Sequence, residues 1–149
     1  MNLRETGKTL TDDEARLNMR LLADSLPVIA TPCSFMRLFN DSRWPWLMLM
    51  PRVFPAVAEL HELDETTRAG FLADVNTVSS ILKAATACRS VNIAMLGNVV
   101  PDLHCHVVAR HEDDPVWPAP VWGHGEAMPY NDANYPAPLV DRLRREISS

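Results

Sequence analysis

The sequence contains no long run of apolar residues. A helix that crosses a bilayer needs roughly 20 consecutive apolar residues, and no stretch of the 149-residue chain approaches that length. Residues 1–20 are charged throughout and lack the apolar core of a secretory signal peptide. We therefore expect a cytoplasmic protein with no membrane partner.

Positive charge is also scarce. The chain has 14 lysines and arginines against 19 aspartates and glutamates, so its formal net charge is −5. Non-specific binding to DNA or RNA depends on a basic surface, so we expect no nucleic-acid partner. A small anion can still bind, because the field within one site need not follow the net charge.

Cysteine is too rare for a disulfide framework. Cys33, Cys88 and Cys105 are odd in number, and no two of them lie at a metal-ligand spacing. This usage indicates buried thiols in a reducing compartment. The length and the lack of an internal repeat predict a single domain over residues 1–149.

Helical periodicity is present at both ends of the chain and in its middle. A capping box of Thr11 and Glu14 predicts a first helix that ends near Asp24. Acidic residues from Asp64 onward open the clearest helix, because the helix dipole favours negative charge there. A closing helix is predicted at residues 139–147. The predicted buried face of the middle helix comprises Phe71, Leu72, Val75, Val78, Leu82 and Ala85.

Four segments have the composition of β-strands. Turn residues at 40–43 predict that the first two strands form an antiparallel hairpin. The second strand is apolar on both faces, which predicts a central, covered position. The last two strands form another hairpin, and hairpins with helices to one side make an α+β domain. The predicted strands are residues 33–39, 44–50, 91–96 and 102–110.

Residues 112–138 differ in composition from the rest of the chain. Six prolines lie between Pro115 and Pro138, together with Trp117, Trp122 and two tyrosines. Proline lowers the entropy of an extended segment, and aromatic side chains give it a surface to pack with. We expect an ordered extended arm in which the tryptophans pack in the core or at a dimer contact. Stacking on a bound ring or closing an active site is the alternative role of Trp117 and Trp122.

An alternating stretch contains the candidate reactive groups. Alternate side chains of an extended strand share one face. Leu103, Cys105 and their apolar neighbours are therefore expected to face the core, with Cys105 as a buried thiol. Asp102, His104 and His106 are expected on the other face, as neighbours at roughly 6–7 Å.

Nucleophilic catalysis is one interpretation of this face. A neutral imidazole can attack phosphorus and form a covalent phosphohistidine. Its other nitrogen must be held by an acceptor so that the tautomer is fixed. Donors must also surround the phosphate oxygens, and loop amides or a second imidazole can supply them. His104, His106 and the loop at Gly97 and Asn98 provide these parts.

Two other interpretations remain open. Asp102, His104 and His106 resemble a set of two histidines and one carboxylate that binds iron. Ligands spread over roughly 13 Å of strand cannot all reach one ion, so a metal would bind two of them and a remote partner. In the third interpretation, both histidines are simply half-exposed strand residues.

Residues 97–110 resemble a known signature. They read Gly-Asn-Val-Val-Pro-Asp-Leu-His-Cys-His-Val-Val-Ala-Arg. This is similar to the signature of the histidine triad (HIT) family, a Gly-Gln turn followed by His-x-His-x-His, two apolar residues and often Pro-Arg. Residues 35–51 and 60–64 are similar to the family's first hairpin and to its approach to the long helix. Residues 117–123 are similar to the tail of a bacterial HIT-like branch.

The resemblance implies a fold and a function. The HIT-like fold has an antiparallel sheet of about five strands, one long helix and flanking terminal helices, with a core here at about 33–110. The implied protein is a homodimer without an organic cofactor. It acts as a hydrolase or transferase at the α-phosphate of a nucleotide derivative, either a phosphoramidate or a dinucleoside polyphosphate, through a nucleotidyl-histidine intermediate.

The resemblance also implies roles for individual residues. His104 corresponds to the nucleophile, and His106 to the histidine that contacts the phosphate or leaving group. Asn98, next to Gly97, corresponds to the phosphate-binding Gln of the turn. Asn40 corresponds to an Asn that lies near the ribose and phosphate.

Four positions depart from the family pattern. Asp102 stands at the first triad position, and an anion beside an anionic substrate costs energy unless it is paired or turned away. Asn98 is one methylene shorter than Gln, and Ala109 replaces a common Pro. Pro45 and Trp46 stand where the family has Pro-Gly-His. These departures favour a second hypothesis, a catalytically weak or inactive nucleotide-binding or interaction protein.

Three residues near the histidine stretch have alternative roles. Arg110 is expected to pair either with phosphate or with an acidic residue at 112–114. His111 and His124 flank the tryptophan-rich part of the arm and are predicted to be solvent-exposed. In the alternative, one of them protonates the leaving group.

Overall fold

A computed structural model describes residues 12–148, and its centre is a five-stranded antiparallel sheet. The strands lie in the order β1-β2-β3-β5-β4, which confirms the predicted α+β class. They are β1 Ser25–Ala30, β2 Ser34–Phe39, β3 Trp46–Pro51, β4 Ser90–Ala94 and β5 Cys105–Arg110. The helices are α1 Met19–Ala23, α2 Glu65–Thr86 and α3 Ala137–Ser148.

Strand β3 lies at the centre of the sheet and is buried along its whole length. Leu47 and Leu49 belong to the main core, which the sheet forms with α2 and α3. Trp46, Met48 and Met50 belong to two smaller apolar clusters. Residues 47–50 are apolar without polar alternation because both faces of this strand are covered by other parts of the protein, as predicted.

Helix α2 corresponds to the clearest helix predicted from the sequence and confirms that prediction. Asp64 is its N-cap and accepts a hydrogen bond from the Thr67 amide at 2.8 Å. Two residues of the predicted buried face lie outside it, since Leu72 is 40% exposed and Ala85 is also exposed. Ile81 is buried instead. The buried residues of the helix are Phe71, Val75, Val78, Ile81 and Leu82.

The predicted first helix is not one helix. A 3-10 turn at Glu14–Arg16 is followed by the short helix α1, whose N-cap Asn18 accepts from the Arg20 amide. Glu14 forms a 2.6 Å ion pair with the buried guanidinium of Arg37, in keeping with the need of a buried charge for a partner. The predicted capping box joins Glu14 to Thr11. Thr11 lies outside the described residues.

Strand β1 is a further correction, because residues 25–30 were expected to end a helix and not to form a strand. Pro27 argued against a strand at these residues, because proline has no N–H to donate to a sheet ladder. The strand lies at the edge of the sheet, and its register shifts between Pro27 and Ile29. An edge strand with such an irregularity is where proline is tolerated.

The histidine stretch forms a shorter strand than predicted. β5 begins at Cys105, so Asp102 and His104 precede it and follow no strand alternation. β4 pairs with β5 in antiparallel register, which confirms the predicted hairpin. Met48 of β3 lies opposite His106.

The segment between β5 and α3 forms turns without helix or strand, and it is tied to the sheet. The Tyr130 amide donates to Asn40 Oδ1 at 2.9 Å, and Arg110 donates to the Ala119 carbonyl at 2.8 Å. Helix α3 then packs on α2 and β1. Within residues 12–148, every helix is too short or too polar to span a bilayer.

Candidate functional site

A cavity of about 340 Å³ lies on the side of the sheet that faces away from α2. Its walls come from α1, from the middle strands, from the loop before β5 and from the arm. Both imidazoles of the histidine stretch line it. The lining residues are Arg20, Leu21, Asp24, Phe39, Met48, Leu96, Asn98, Val99, Val100, His104, His106, Trp122 and Gly123.

His104 has one ring nitrogen held by the backbone. Its Nδ1 lies 2.7 Å from the carbonyl oxygen of Asp102. A carbonyl oxygen only accepts, so Nδ1 bears the proton of the neutral ring and donates it. The lone pair is therefore on Nε2. An imidazole in this tautomer presents an Nε2 lone pair, the atom through which a histidine can act as a nucleophile.

His106 has the opposite tautomer. Its Nδ1 lies 2.9 Å from Trp46 Nε1, and an indole N–H can only donate. Nδ1 is therefore the acceptor, and the proton of the neutral ring is on Nε2. Burial, with a smaller contribution from the nearby His104, lowers the pKa of His106 from 6.5 to about 3. His106 is thus a neutral hydrogen-bond donor at physiological pH.

The two imidazoles lie against each other and against aromatic rings. The ring centroids of His104 and His106 are 4.9 Å apart, and the planes are nearly perpendicular. Trp122 and Trp46 each lie 5.5 Å from His106, centroid to centroid. Each imidazole is only 6% exposed, so a hydrogen bond to a bound anion is screened less there than in bulk solvent.

The loop before β5 places Asn98 in the cavity wall together with Val99 and Val100. Gly97 lines a smaller adjoining space of about 70 Å³ that His104 also borders. A Cβ added at Gly97 would lie 3.8 Å from the nearest atom, the Pro101 carbonyl oxygen. Steric crowding therefore does not explain the glycine at this position.

Asp102 and Asn40, like Gly97, do not line the cavity. Asp102 borders a separate space of about 20 Å³ with Arg16 and Phe54. What it contributes to the histidine pair is its carbonyl oxygen. Asn40 accepts from the Tyr130 amide through Oδ1, which fastens the arm to the end of β2. Of the six candidates, the cavity brings together His104, His106 and Asn98.

A second lobe of about 300 Å³ adjoins the cavity. The two spaces share five lining residues, and the second adds Asp41, Arg43 and His124 among others but lacks His104. Trp122 lies in the walls of both. Gly123 and Gly125, on either side of His124, have φ values of +81° and +61°, which favour glycine. The shared residues are Arg20, Phe39, His106, Trp122 and Gly123.

Sequence reasoning missed the importance of Arg20 and Trp46, and it gave Trp122 a place at the ligand only as an alternative. Arg20 belongs to a helix whose bounds were predicted incorrectly, and Trp122 was expected in the core or at a dimer contact. Trp46 offered a usable signal, because it stands where the family pattern has a histidine. Its contact with His106 depends on the pairing of β3 with β5, which no local pattern specifies.

Cys105 and Arg110 are buried and do not line the cavity. Cys105 lies in the main core on the opposite face, where burial raises its pKa to about 12. Arg110 forms a 2.7 Å ion pair with Asp114, one of its expected acidic partners. The carboxyl of Asp114 is buried, which raises its pKa, but hydrogen bonds from Arg110 and from backbone amides outweigh this and lower the pKa to about 2.

His111 and His124 do not line the main cavity, although His124 borders the second lobe. His124 is exposed, as predicted, whereas His111 is half-buried with Nε2 3.2 Å from the Thr86 carbonyl. Over residues 12–148, no three His, Cys, Asp or Glu residues are grouped so that they could hold a metal ion.

Comparisons with known proteins agree with this geometry. Residues 21–113 match the HIT domain. None of the curated proteins matches the chain significantly. Among solved structures, a histidine triad protein of Bradyrhizobium japonicum is 38% identical, with a TM-score of 0.83 over 88% of this chain and 96% of that chain.

Two further solved structures are similar to the same extent. A histidine triad protein of Sinorhizobium meliloti is 39% identical, with a TM-score of 0.82 over 92% of this chain and 96% of its own. One of Marinobacter aquaeolei is 32% identical, with a TM-score of 0.83 over 89% and 96%. The chain therefore belongs to the HIT family.

Proposed function

We propose that this protein is a nucleotide hydrolase or transferase that acts at the α-phosphate of a nucleotide derivative through a covalent nucleotidyl-His104 intermediate. The observation that supports this most directly is the state of His104. Its Nδ1 donates to the Asp102 carbonyl, which leaves the Nε2 lone pair available. HIT proteins are in general nucleotide-binding hydrolases and transferases.

The proposed reaction has two displacements at phosphorus. In the first, His104 Nε2 forms a P–N bond, and the bond from phosphorus to the leaving group breaks with its electron pair on the leaving group. The ring then has Nδ1–H and a phosphorylated Nε2, and the Asp102 carbonyl stabilises its positive charge. In the second, water attacks phosphorus, the P–N bond breaks back to Nε2, and the water's proton passes to solvent.

The remaining residues of the cavity bind the substrate in this proposal. His106 Nε2–H and the polar loop at Asn98 donate to the phosphate oxygens. Leu21, Phe39 and Met48 give an apolar wall of the kind that accepts a nucleoside. Asp102 takes the first triad position and acts through its backbone, so a carboxylate is tolerated there because it does not line the cavity.

Turnover by purified protein tests this function. Adenosine phosphoramidate and a dinucleoside polyphosphate are each incubated with wild type, His104→Gln and the control His111→Gln, which changes a histidine outside the cavity. We expect nucleoside monophosphate from wild type and the control, and at least a thousandfold loss in His104→Gln. Equal background rates for wild type and His104→Gln would refute the catalytic claim.

The binding-only alternative has one observation in its favour. Trp46 occupies a position where the family pattern has a histidine, and it limits the protonation of His106. This alternative predicts calorimetric binding of adenosine monophosphate without turnover of either substrate. Asp102→His would then be the informative variant, because it restores the triad side chain.

We also propose that the protein is a cytoplasmic homodimer whose two sheets meet through β4. This strand lies at the sheet edge, where β5 is its one neighbour within the described chain, and Ile93 on it is 49% exposed. Ile93→Glu is expected to yield a monomer by analytical ultracentrifugation. Leu72→Glu, a comparable change on α2, is expected to leave the dimer intact. A monomeric wild type would exclude this arrangement.

A further inference from the structure

The hydrogen bond from Trp46 to His106 opposes the uptake of a second proton by His106. The indole of Trp46 is 4% exposed and the imidazole of His106 is 6% exposed, so water does not replace their hydrogen bond. A second proton on His106 would have to occupy Nδ1, where it would face the indole N–H. Two donors would then oppose each other in a buried contact, which costs both the bond and the desolvation of an unpaired group.

The groups that surround His106 do not offset this cost. Its ring neighbours are Phe39, Trp46 and Trp122, together with the second imidazole of His104. The charged residues that line the same cavity are Arg20 and Asp24, which pair with each other at 3.7 Å. On the side of the second lobe, Asp41 is bound by Arg43 at 2.8 Å, and His124 is solvent-exposed.

We infer that Trp46 is a positioning residue that keeps His106 a neutral donor, and that the enzyme therefore prefers substrates whose leaving group departs as a phosphate or polyphosphate anion over those that release an amine. The inference rests on the function proposed above and narrows its substrate class. It follows from the direction of one hydrogen bond between two buried rings.

The balance of the first displacement shows why the leaving group matters. When His104 Nε2 bonds to phosphorus, the breaking P–O bond of a polyphosphate leaves its electron pair on an oxygen that is stable as an anion. The breaking P–N bond of a phosphoramidate leaves the pair on nitrogen, which must receive a proton as the bond breaks. A neutral His106 would have to give up its only proton and become an imidazolate, so it cannot supply that proton.

The second lobe fits an anionic leaving group. It adjoins His106, and Arg20 lines both lobes with a side chain that is 64% exposed and held, among residues 12–148, only by a surface ion pair of 3.7 Å with Asp24. Arg43 also borders this lobe, with Nη1 on the His124 carbonyl and Nε and Nη2 on Asp41. Arginine suits phosphate because its planar donors match the oxygens.

Substrate competition between leaving groups tests the inference. For wild type, we expect kcat/KM for diadenosine tetraphosphate to exceed that for adenosine phosphoramidate by about a hundredfold, the usual contribution of a general acid. Trp46→Phe frees Nδ1 of His106 to accept a proton, so it should raise phosphoramidate turnover below pH 6. The ratio of kcat/KM between the two substrates should then fall about tenfold. Trp44→Phe is the matched control, because this indole is buried in the same cluster and its N–H has no partner among the described residues.

Each outcome has a distinct meaning. Turnover of neither substrate by wild type refutes the proposed function, and the inference with it. Comparable turnover of both substrates leaves the function intact and overturns the inference. An unchanged ratio in folded Trp46→Phe also overturns it, as does an equal narrowing in Trp44→Phe.

A measurement on the wild-type protein tests the inference even if the tryptophan variants misfold. Nitrogen-15 spectra of the imidazoles report the tautomer and protonation of each histidine, with His106→Gln used for assignment. We expect His106 to remain in the Nε2–H form from pH 8 to pH 5. Uptake of a second proton by His106 near pH 6.5 would overturn the inference, whatever the variants do.

Discussion

At the residue scale, the site is defined by which nitrogen of each imidazole is already bonded. The Asp102 carbonyl fixes the proton of His104 on Nδ1, and the Trp46 indole fixes that of His106 on Nε2. In the proposed reaction, the two rings therefore divide the tasks of attack and hydrogen-bond donation. Neither constraint is visible in the histidine spacing, because one partner is a backbone atom and the other lies on a different strand.

Asp102 gives a prediction at this scale. Asp102→Asn keeps the backbone carbonyl, and the residue borders a space apart from the histidine pair. We expect kcat/KM to stay within about threefold of wild type, since the removed charge is not at the reacting centre. Steady-state kinetics with the better substrate checks this. A loss of a hundredfold or more would show that the carboxylate itself takes part.

His106 gives a pH dependence of stability. Its pKa in the folded protein, about 3, lies below the ordinary 6.5, so the unfolded chain takes up a proton that the folded protein does not. The stability that this group contributes is fully present above about pH 6.5 and is lost as the pH falls toward 3. The slope is at most about 1.4 kcal/mol per pH unit.

Urea unfolding of wild type and His106→Gln at pH 7 and pH 5 measures that contribution. Wild type should lose more stability than the variant between the two values. The carboxyl with the strongest shift, Asp114, titrates near pH 2 and does not interfere in this window. Equal losses in the two proteins would contradict the assignment of a depressed pKa to His106.

At the element scale, sequence patterns succeeded where one driving force dominated. The β2–β3 hairpin, α2 and α3 were predicted because apolar periodicity, turn residues and caps agree with one another. The first helix and β1 were mispredicted because long-range requirements prevailed. Arg37 on β2 pairs with Glu14 beside the 3-10 turn, and the sheet edge accepts Pro27. The start of β5 at Cys105 could not be located by alternation, since the apolar pattern continues into the preceding loop.

Helix α2 is placed by a close approach at Gly70. A Cβ added there would clash with Cys33 Sγ beside the start of β2. Gly70→Ala should therefore destabilise the protein by about 1–3 kcal/mol, the usual cost of overpacking. Thermal and urea unfolding measure the change. Cys33→Ala in the same chain removes the obstructing sulfur and should recover most of the loss. A Gly70→Ala variant as stable as wild type would mean that the helix shifts at little cost.

At the scale of the whole molecule, the arm completes the site. Just before the arm, Arg110 at the end of β5 donates to Asp114, Asn92 and the Ala119 carbonyl. The arm then places Trp122 in the walls of both lobes. Sequence composition predicted an ordered segment, but not its path. That path follows from a buried arginine that needs several acceptors at once.

Asp114→Asn tests whether the ion pair between Arg110 and Asp114, the anchor of the arm, holds the arm in place. The side chains of Arg110 and Asp114 are 1% and 5% exposed, so the variant leaves a buried cation without its counter-charge. We expect a loss of about 3–5 kcal/mol in stability. We also expect weaker nucleotide binding, because Trp122 lies beyond the anchor. Arg142→Gln, which removes an exposed ion pair on α3, is the control and should cost under 1 kcal/mol.

The grouping of tryptophans has an optical consequence. Of the four in the chain, Trp44, Trp46 and Trp122 lie together beside the cavity, and Trp117 stacks apart over Arg110. Intrinsic fluorescence of Trp117→Phe would arise from the site alone. A nucleotide that enters the cavity should change this emission, whether or not a bond is broken. The molecule therefore contains its own spectroscopic reporter, with which occupancy can be followed separately from turnover and without a label.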